Sequence, residues 1–136
     1  MKANQIFVNL PVKNIEKTKE FWSKLGFAFN EQISDEKAVC VILNETASVM
    51  FLTEEYFGTF TNRPVPKGDT TQAIVAIGLD TRDEVDQVVN TALANGATQH
   101  EEPEDHGWMY QNSFWDINGL AWNVIFADVS QFPTQP

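Results

Sequence analysis

Two histidines, one cysteine and a dense acidic run are the residues best equipped for chemistry in this 136-residue chain. His100 and His106 flank Glu101, Glu102, Glu104 and Asp105. Imidazoles and carboxylates so close together can hold a divalent ion on a loop. The same run also reads as a solvated acidic loop, the usual fate of a charge run, and that is the expectation. His106 lies in Asp-His-Gly-Trp and has two readings. It can bind or relay a proton to a polar ligand, or hydrogen-bond backbone where the chain turns at Gly107. Cys40 sits between Val39 and Val41 with no histidine near it in sequence, and reads as a small core residue. There is no G-x-S-x-G, P-loop, G-x-G-x-x-G after a strand, or H-E-x-x-H.

Composition narrows the class. At 15.4 kDa the chain makes one ordinary domain, or two very small halves sharing a core. Hydrophobic residues are 43% and charged residues 21%, a globular balance. Nine Lys and Arg against nineteen Asp and Glu leave a net charge of -10. No basic stripe exists, so nucleic acid and anionic membrane are excluded as partners. No apolar run reaches the roughly 18 residues of a membrane span. The N-terminus lacks the pattern of a signal peptide, so a cytoplasmic location is expected. A single cysteine excludes an internal disulfide and a multi-cysteine zinc site.

The elements that must position these residues are well punctuated. Residues 5–12 read as a strand. Asn14 caps a helix running to about Leu25, with Ile15, Thr18, Phe21, Trp22 and Leu25 as its buried stripe and Gly26 as its stop. The segment 27–32 reads as a strand. Residues 38–43 and 48–53 read as two more, joined by the turn Asn44-Glu45-Thr46. Residues 54–72 are polar and carry Pro and Gly, and read as a linker whose Tyr56, Phe57 and Phe60 pack as a cover. Residues 73–80 form the next strand. Thr81 and Glu84 make a capping box in which the Glu84 side chain returns to the Thr81 amide. Val85, Val88, Val89, Ala92 and Leu93 follow at helical spacing, and Gly96 ends that helix. A short strand runs from Ala97 to Gln99. Residues 108–115 and 120–127 form a hairpin closed by Asp116-Ile117-Asn118-Gly119.

Each half therefore reads strand, helix, strand, strand, strand. Placing Val8 on Val75 superposes VNLPV on VAIGL, and placing the NETA turn on the DING turn aligns the closing hairpins. One such unit cannot bury both faces of its sheet alone, so a duplicated βαβββ unit is an architectural signal.

The residues that carry the duplication also carry a resemblance. Phe7-Val8-Asn9-Leu10-Pro11-Val12, Phe21-Trp22-Ser23-Lys24-Leu25-Gly26-Phe27, Asp105-His106-Gly107-Trp108 and Phe114-Trp115-Asp116-Ile117-Asn118-Gly119 resemble the glyoxalase / bleomycin-resistance / extradiol dioxygenase (vicinal oxygen chelate) superfamily. The match spans residues 5–127 and is similar in particular to small bacterial predicted lactoylglutathione lyases. The resemblance implies an α+β fold of two tandem βαβββ modules, about 5–53 and 73–127, forming a cup-shaped curved mixed sheet. It also implies pairing as a homodimer. In metal-using members, four His, Gln or Glu side chains in the cup hold one divalent ion that polarises two substrate oxygens.

This chain departs from that pattern. The family's four ligand positions map to Phe7, Phe51, Ile74 and Asn123. Three are hydrocarbon, and one amide oxygen is a weak ligand by itself. A slip of one residue offers Val8, Met50 or Leu52, Val75, and Trp122 or Val124, none a plausible ligand. No cofactor is therefore expected, and no tight metal. Alternation places Asn9 with Phe7, and Val49 and Thr53 with Phe51. On the strand beside Asn123, either Met109 and Gln111 or Tyr110 and Asn112 face the cup. The candidate ligand-binding residues are Asn9, Phe7, Phe51, Ile74, His106, Tyr110, Gln111 and Asn123. A mostly apolar wall with a few amides suits a small, largely apolar or aromatic molecule. The alternative is a divalent-metal-dependent glyoxalase-like lyase or an extradiol-type dioxygenase.

Overall fold

In the computed structural model the two apolar stripes become two helices, each laid on one face of its own sheet. The structure describes residues 1–67 and 69–131. It divides into one unit up to Thr70 and a second from Thr71.

The first unit holds β1 (Ile6–Val12), α1 (Ile15–Lys24), β2 (Ala28–Phe29), β3 (Ala38–Asn44), β4 (Ala47–Thr53) and the short α2 (Glu54–Phe57). Its strand order is β1-β4-β3-β2, with β1 parallel to β4 and the other pairs antiparallel. Asn14 caps α1 as expected, its side chain accepting from the Lys17 amide at 2.9 Å. Thr18, Phe21 and Trp22 are the buried residues of α1. Thr18 satisfies its hydroxyl by donating to the Asn14 carbonyl at 2.7 Å. Gly26 takes a φ of +93°, a left-handed turn that a side chain would strain.

The second unit holds β5 (Ile74–Gly78), α3 (Arg82–Ala94), β6 (Thr98–Gln99), β7 (Glu104–Asp105), β8 (Met109–Trp115) and β9 (Ala121–Ala127). Its strand order is β5-β9-β8-β6, with β7 also paired to β8. Here too the first strand runs parallel to the last. Val85, Val89 and Ala92 are the buried residues of α3. Gly96 turns at φ +102°, and a Cβ there would meet the Ile117 side chain at 3.2 Å.

Four sequence expectations change. The strand expected over 27–32 shrinks to Ala28–Phe29, because Asn30 caps a 3-10 turn over Glu31–Ile33 by accepting from the Gln32 amide. The linker 54–72 opens as structure: Thr53 caps α2, a 3-10 turn follows over Gly58–Phe60, and Tyr56 meets Phe60 edge-on at 5.1 Å. In the capping box the Thr81 hydroxyl accepts from the Glu84 amide at 3.0 Å, as expected. The Glu84 carboxylate, however, accepts from that same hydroxyl at 3.2 Å and not from the Thr81 amide. Finally, the acidic stretch is not all loop, since Glu104 and Asp105 pair with Gln111 and Tyr110.

Candidate functional site

The faces of the two sheets decide which candidates can act together. Side chains alternate along a strand, and paired residues share a face. In the first unit Trp22 of α1 stacks on Phe51 at 5.6 Å, which fixes the helix-facing side. Leu10 pairs with Phe51 and Val8 with Val49, so these lie toward α1. Phe7 pairs with Ser48 and Asn9 with Met50, so these lie on the opposite face. Phe51 is therefore not on the face of Phe7. It is fully buried in the helix–sheet core.

The hairpins explain the discrepancy. β3 and β4 are joined through Glu45 and Thr46, with a register shift between Ile42 and Asn44, whereas residues 116–120 separate β8 from β9. Superposing the NETA and DING turns residue for residue is therefore off by one, and a slip of one flips every side chain to the other face. In the observed registers Ile74 pairs with Ala121 and Ala76 with Asn123, as Phe7 pairs with Ser48 and Asn9 with Met50. The counterpart of Asn123 is then Met50.

The second unit settles its own ambiguity in the same way. The Tyr110 hydroxyl donates to Asp86 Oδ1 of α3 at 2.6 Å, so Tyr110, Asn112 and Phe114 face the helix. That hydrogen bond, with burial adding to it, pushes the phenol up to about 12 and makes it a poor acid–base group near neutrality. Arg82 lies over the Tyr110 and Phe126 rings and pairs with Asp105, whose carboxyl it holds below the usual range. Met109, Gln111, Ser113 and Trp115 take the opposite face, with Ile74, Ala76, Ala121, Asn123 and Ile125.

His106 is exposed. Its amide donates to the Met109 carbonyl at 2.8 Å and its Nε2 lies 3.1 Å from a Glu104 carboxylate oxygen. Its neighbour Gly107 turns at φ +81°. In sequence His100 reads only as a metal-ligand candidate, and Ser113 carries no signal. The structure brings them together, His100 Nδ1 lying 3.3 Å from Ser113 Oγ. Alternation along β6 was the available signal, but its face depends on pairing with β8.

The donor set does not fit a divalent ion. Phe7, Ile74 and either Phe51 or Met50 offer no oxygen or nitrogen, and Asn123 offers one neutral amide. Among the described residues no group of three or more His, Cys, Asp or Glu is disposed to hold a metal. A separate cavity of about 540 Å³ opens at the start of α1 in the first unit. Lys13, Glu16, Lys19, Glu31, Asp35 and Glu36 are among its lining residues, and the sequence reading did not anticipate it.

A sequence model described as the Glyoxalase/Bleomycin resistance protein/Dioxygenase superfamily matches residues 4–128. No curated protein matches the chain. Among solved structures, hypothetical protein SA1046 from S. aureus is 26% identical with a TM-score of 0.77, covering 93% of this chain and 95% of its own. A glyoxalase/bleomycin resistance protein/dioxygenase family enzyme from Burkholderia phytofirmans PsJN is 20% identical with a TM-score of 0.74, covering 89% and 96%. A lactoylglutathione lyase from Agrobacterium tumefaciens is 15% identical with a TM-score of 0.68, covering 96% and 98%. The last two likenesses are of fold.

Proposed function

The chain belongs to the glyoxalase/bleomycin resistance protein/dioxygenase superfamily, whose model spans residues 4–128, and from that premise we propose that it binds a small, largely apolar or aromatic molecule without a metal ion. The observation that carries this reading is the chemistry of the family's ligand positions. Phe7 and Ile74 on the first strand of each unit are hydrocarbon, and Asn123 is the lone oxygen donor. Such positions cannot polarise a diolate, but they can line a wall for an aromatic ring. Asn9, Gln111 and Asn123 add amides that would orient polar atoms of the bound molecule. Phe51 and Tyr110, turned toward the helices, act through packing.

The test is elemental analysis after stripping the protein and loading it with Mn, Fe, Co, Ni and Zn in turn. Well under one ion per chain is expected for every metal. Retention of one ion per chain would overturn the reading and make lactoylglutathione formation and catechol cleavage the next assays. We also infer that the chain pairs as a homodimer. Ile6 and Phe7, 58% and 49% exposed on the edge strand β1, support that pairing.

A further inference from the structure

The helix-free face of the second sheet carries one continuous polar row. Ala76 pairs with Asn123, Asn123 with Ser113, and the next residue beyond β6, His100, reaches the Ser113 hydroxyl. Beside this row lie Gly78, Ile125, Gln111 and Glu104, paired in the same order. Three hydrogen-bonding side chains thus come from three separate segments onto one side of the sheet. On the α3 side of the same strands Ile77, Asn112, Phe114, Trp122 and Val124 are buried.

His100 is held rather than loose. Its ring meets Trp115 edge-on at 4.4 Å, and Thr98, one step back on the same side of β6, pairs with Trp115. Ser113 is 5% exposed, and its Oγ already accepts the Glu101 amide at 3.1 Å. The hydroxyl has one proton to give, and His100 Nδ1 lies within reach of it. With Ser113 donating to Nδ1, the neutral ring carries its own proton on Nε2, the nitrogen not engaged by Ser113. At the far edge of the same face, on β5, the floor is low. A Cβ built on Gly78 meets no atom within 4 Å, and Ala76, two residues before it on β5, is also small.

We propose that His100, oriented by Ser113, is the hydrogen-bond donor of a ligand site on this sheet face, and that the ligand is a neutral planar molecule presenting a carbonyl or phenolic oxygen. The donor polarity of Nε2 calls for an acceptor atom. Asn123 offers a second polar contact in the same row. Glu101 and Glu102 follow His100 in sequence, Glu104 lies on the neighbouring row, and the chain carries a net charge of -10, so a carboxylate ligand meets repulsion. The inference rests on the metal-free small-molecule reading above and names its ligand class and its orienting residue.

The test uses the whole chain with ¹⁵N-labelled histidine and three probes: 4-hydroxyacetophenone, benzoate and benzylamine. Saturable binding of 4-hydroxyacetophenone, a shift of the His100 Nε2 resonance on binding, and at least tenfold weaker binding by His100→Ala are expected. Binding of that probe with no Nε2 shift and no loss in His100→Ala overturns the role of His100 and leaves the small-molecule reading standing. Tighter binding of benzoate or benzylamine overturns the neutral ligand class. If none of the three binds at millimolar concentration, the small-molecule reading falls and this inference falls with it. The wild-type resonance decides the question even if the variant fails to fold.

Discussion

Asp116 is the most deeply buried carboxylate among the described residues, 3% exposed at the turn between β8 and β9. Its Oδ1 accepts the Asn118 and Leu120 amides and its Oδ2 accepts Trp122 Nε1 at 2.9 Å. Burial nevertheless pushes it up to about 6, because desolvation outweighs the three donors. A carboxyl raised in the folded state binds protons there that the unfolded chain has already released. Its stabilisation is therefore complete below the ordinary value of 3.8 and is lost as pH rises through about 6. The span is worth about 2–3 kcal/mol on the scale of 1.4 kcal/mol per pKa unit. In Asp116→Asn this slope disappears, and an amide cannot accept from Trp122 while keeping both backbone bonds. Urea unfolding of both proteins across that interval checks this. The wild type should lose its advantage over the variant as pH rises, and parallel curves would refute it.

At the scale of elements, the two helices are fastened to their sheets by different chemistry. α1 holds β4 through aromatic packing: Trp22 stacks on Phe51, and Phe21 and Phe27 meet Trp22 edge-on at 5.7 and 5.4 Å. α3 holds β8 through polar contacts as well, from Asp86 to Tyr110 and Asn112. Arg82 then ties the start of α3 to Asp105 and the Gly107 carbonyl, so β7 and the turn bearing His106 are anchored to that helix. Phe51 is accordingly a core residue. Phe51→Ala should cost about 3–5 kcal/mol in chemical denaturation, the usual penalty for emptying an aromatic core site. Phe7→Ala, on the exposed side of the edge strand, should cost under about 1 kcal/mol. Equal penalties would mean that the two side chains share one environment, as the sequence reading had them.

At the scale of the whole molecule, the net charge of -10 argues against anionic partners, and no helix among the described residues is long and apolar enough to cross a membrane. A homodimer should elute near twice 15.4 kDa in size exclusion with light scattering, and Phe7→Glu should shift it toward the monomer. A wild-type monomer at all concentrations would count against pairing through β1. Much of this protein was legible in the residues. The helices at 15–24 and 82–94, their caps at Asn14 and Thr81, the glycine stops and the twofold repeat depend on periods and turns that span a few residues, so local physics settles them. The hydrocarbon at Phe7 and Ile74 argued against a metal from side-chain chemistry alone. What the tertiary structure decided was facing. Phe51 turns inward because one hairpin closes through two residues and a bulge while the other uses a five-residue loop. Tyr110 turns inward because Asp86, 24 residues away, waits on α3. His100 meets Ser113, 13 residues further along the chain, because β6 pairs with β8. Alternation along a strand is a local property, but which side it begins on is set by partners distant in sequence.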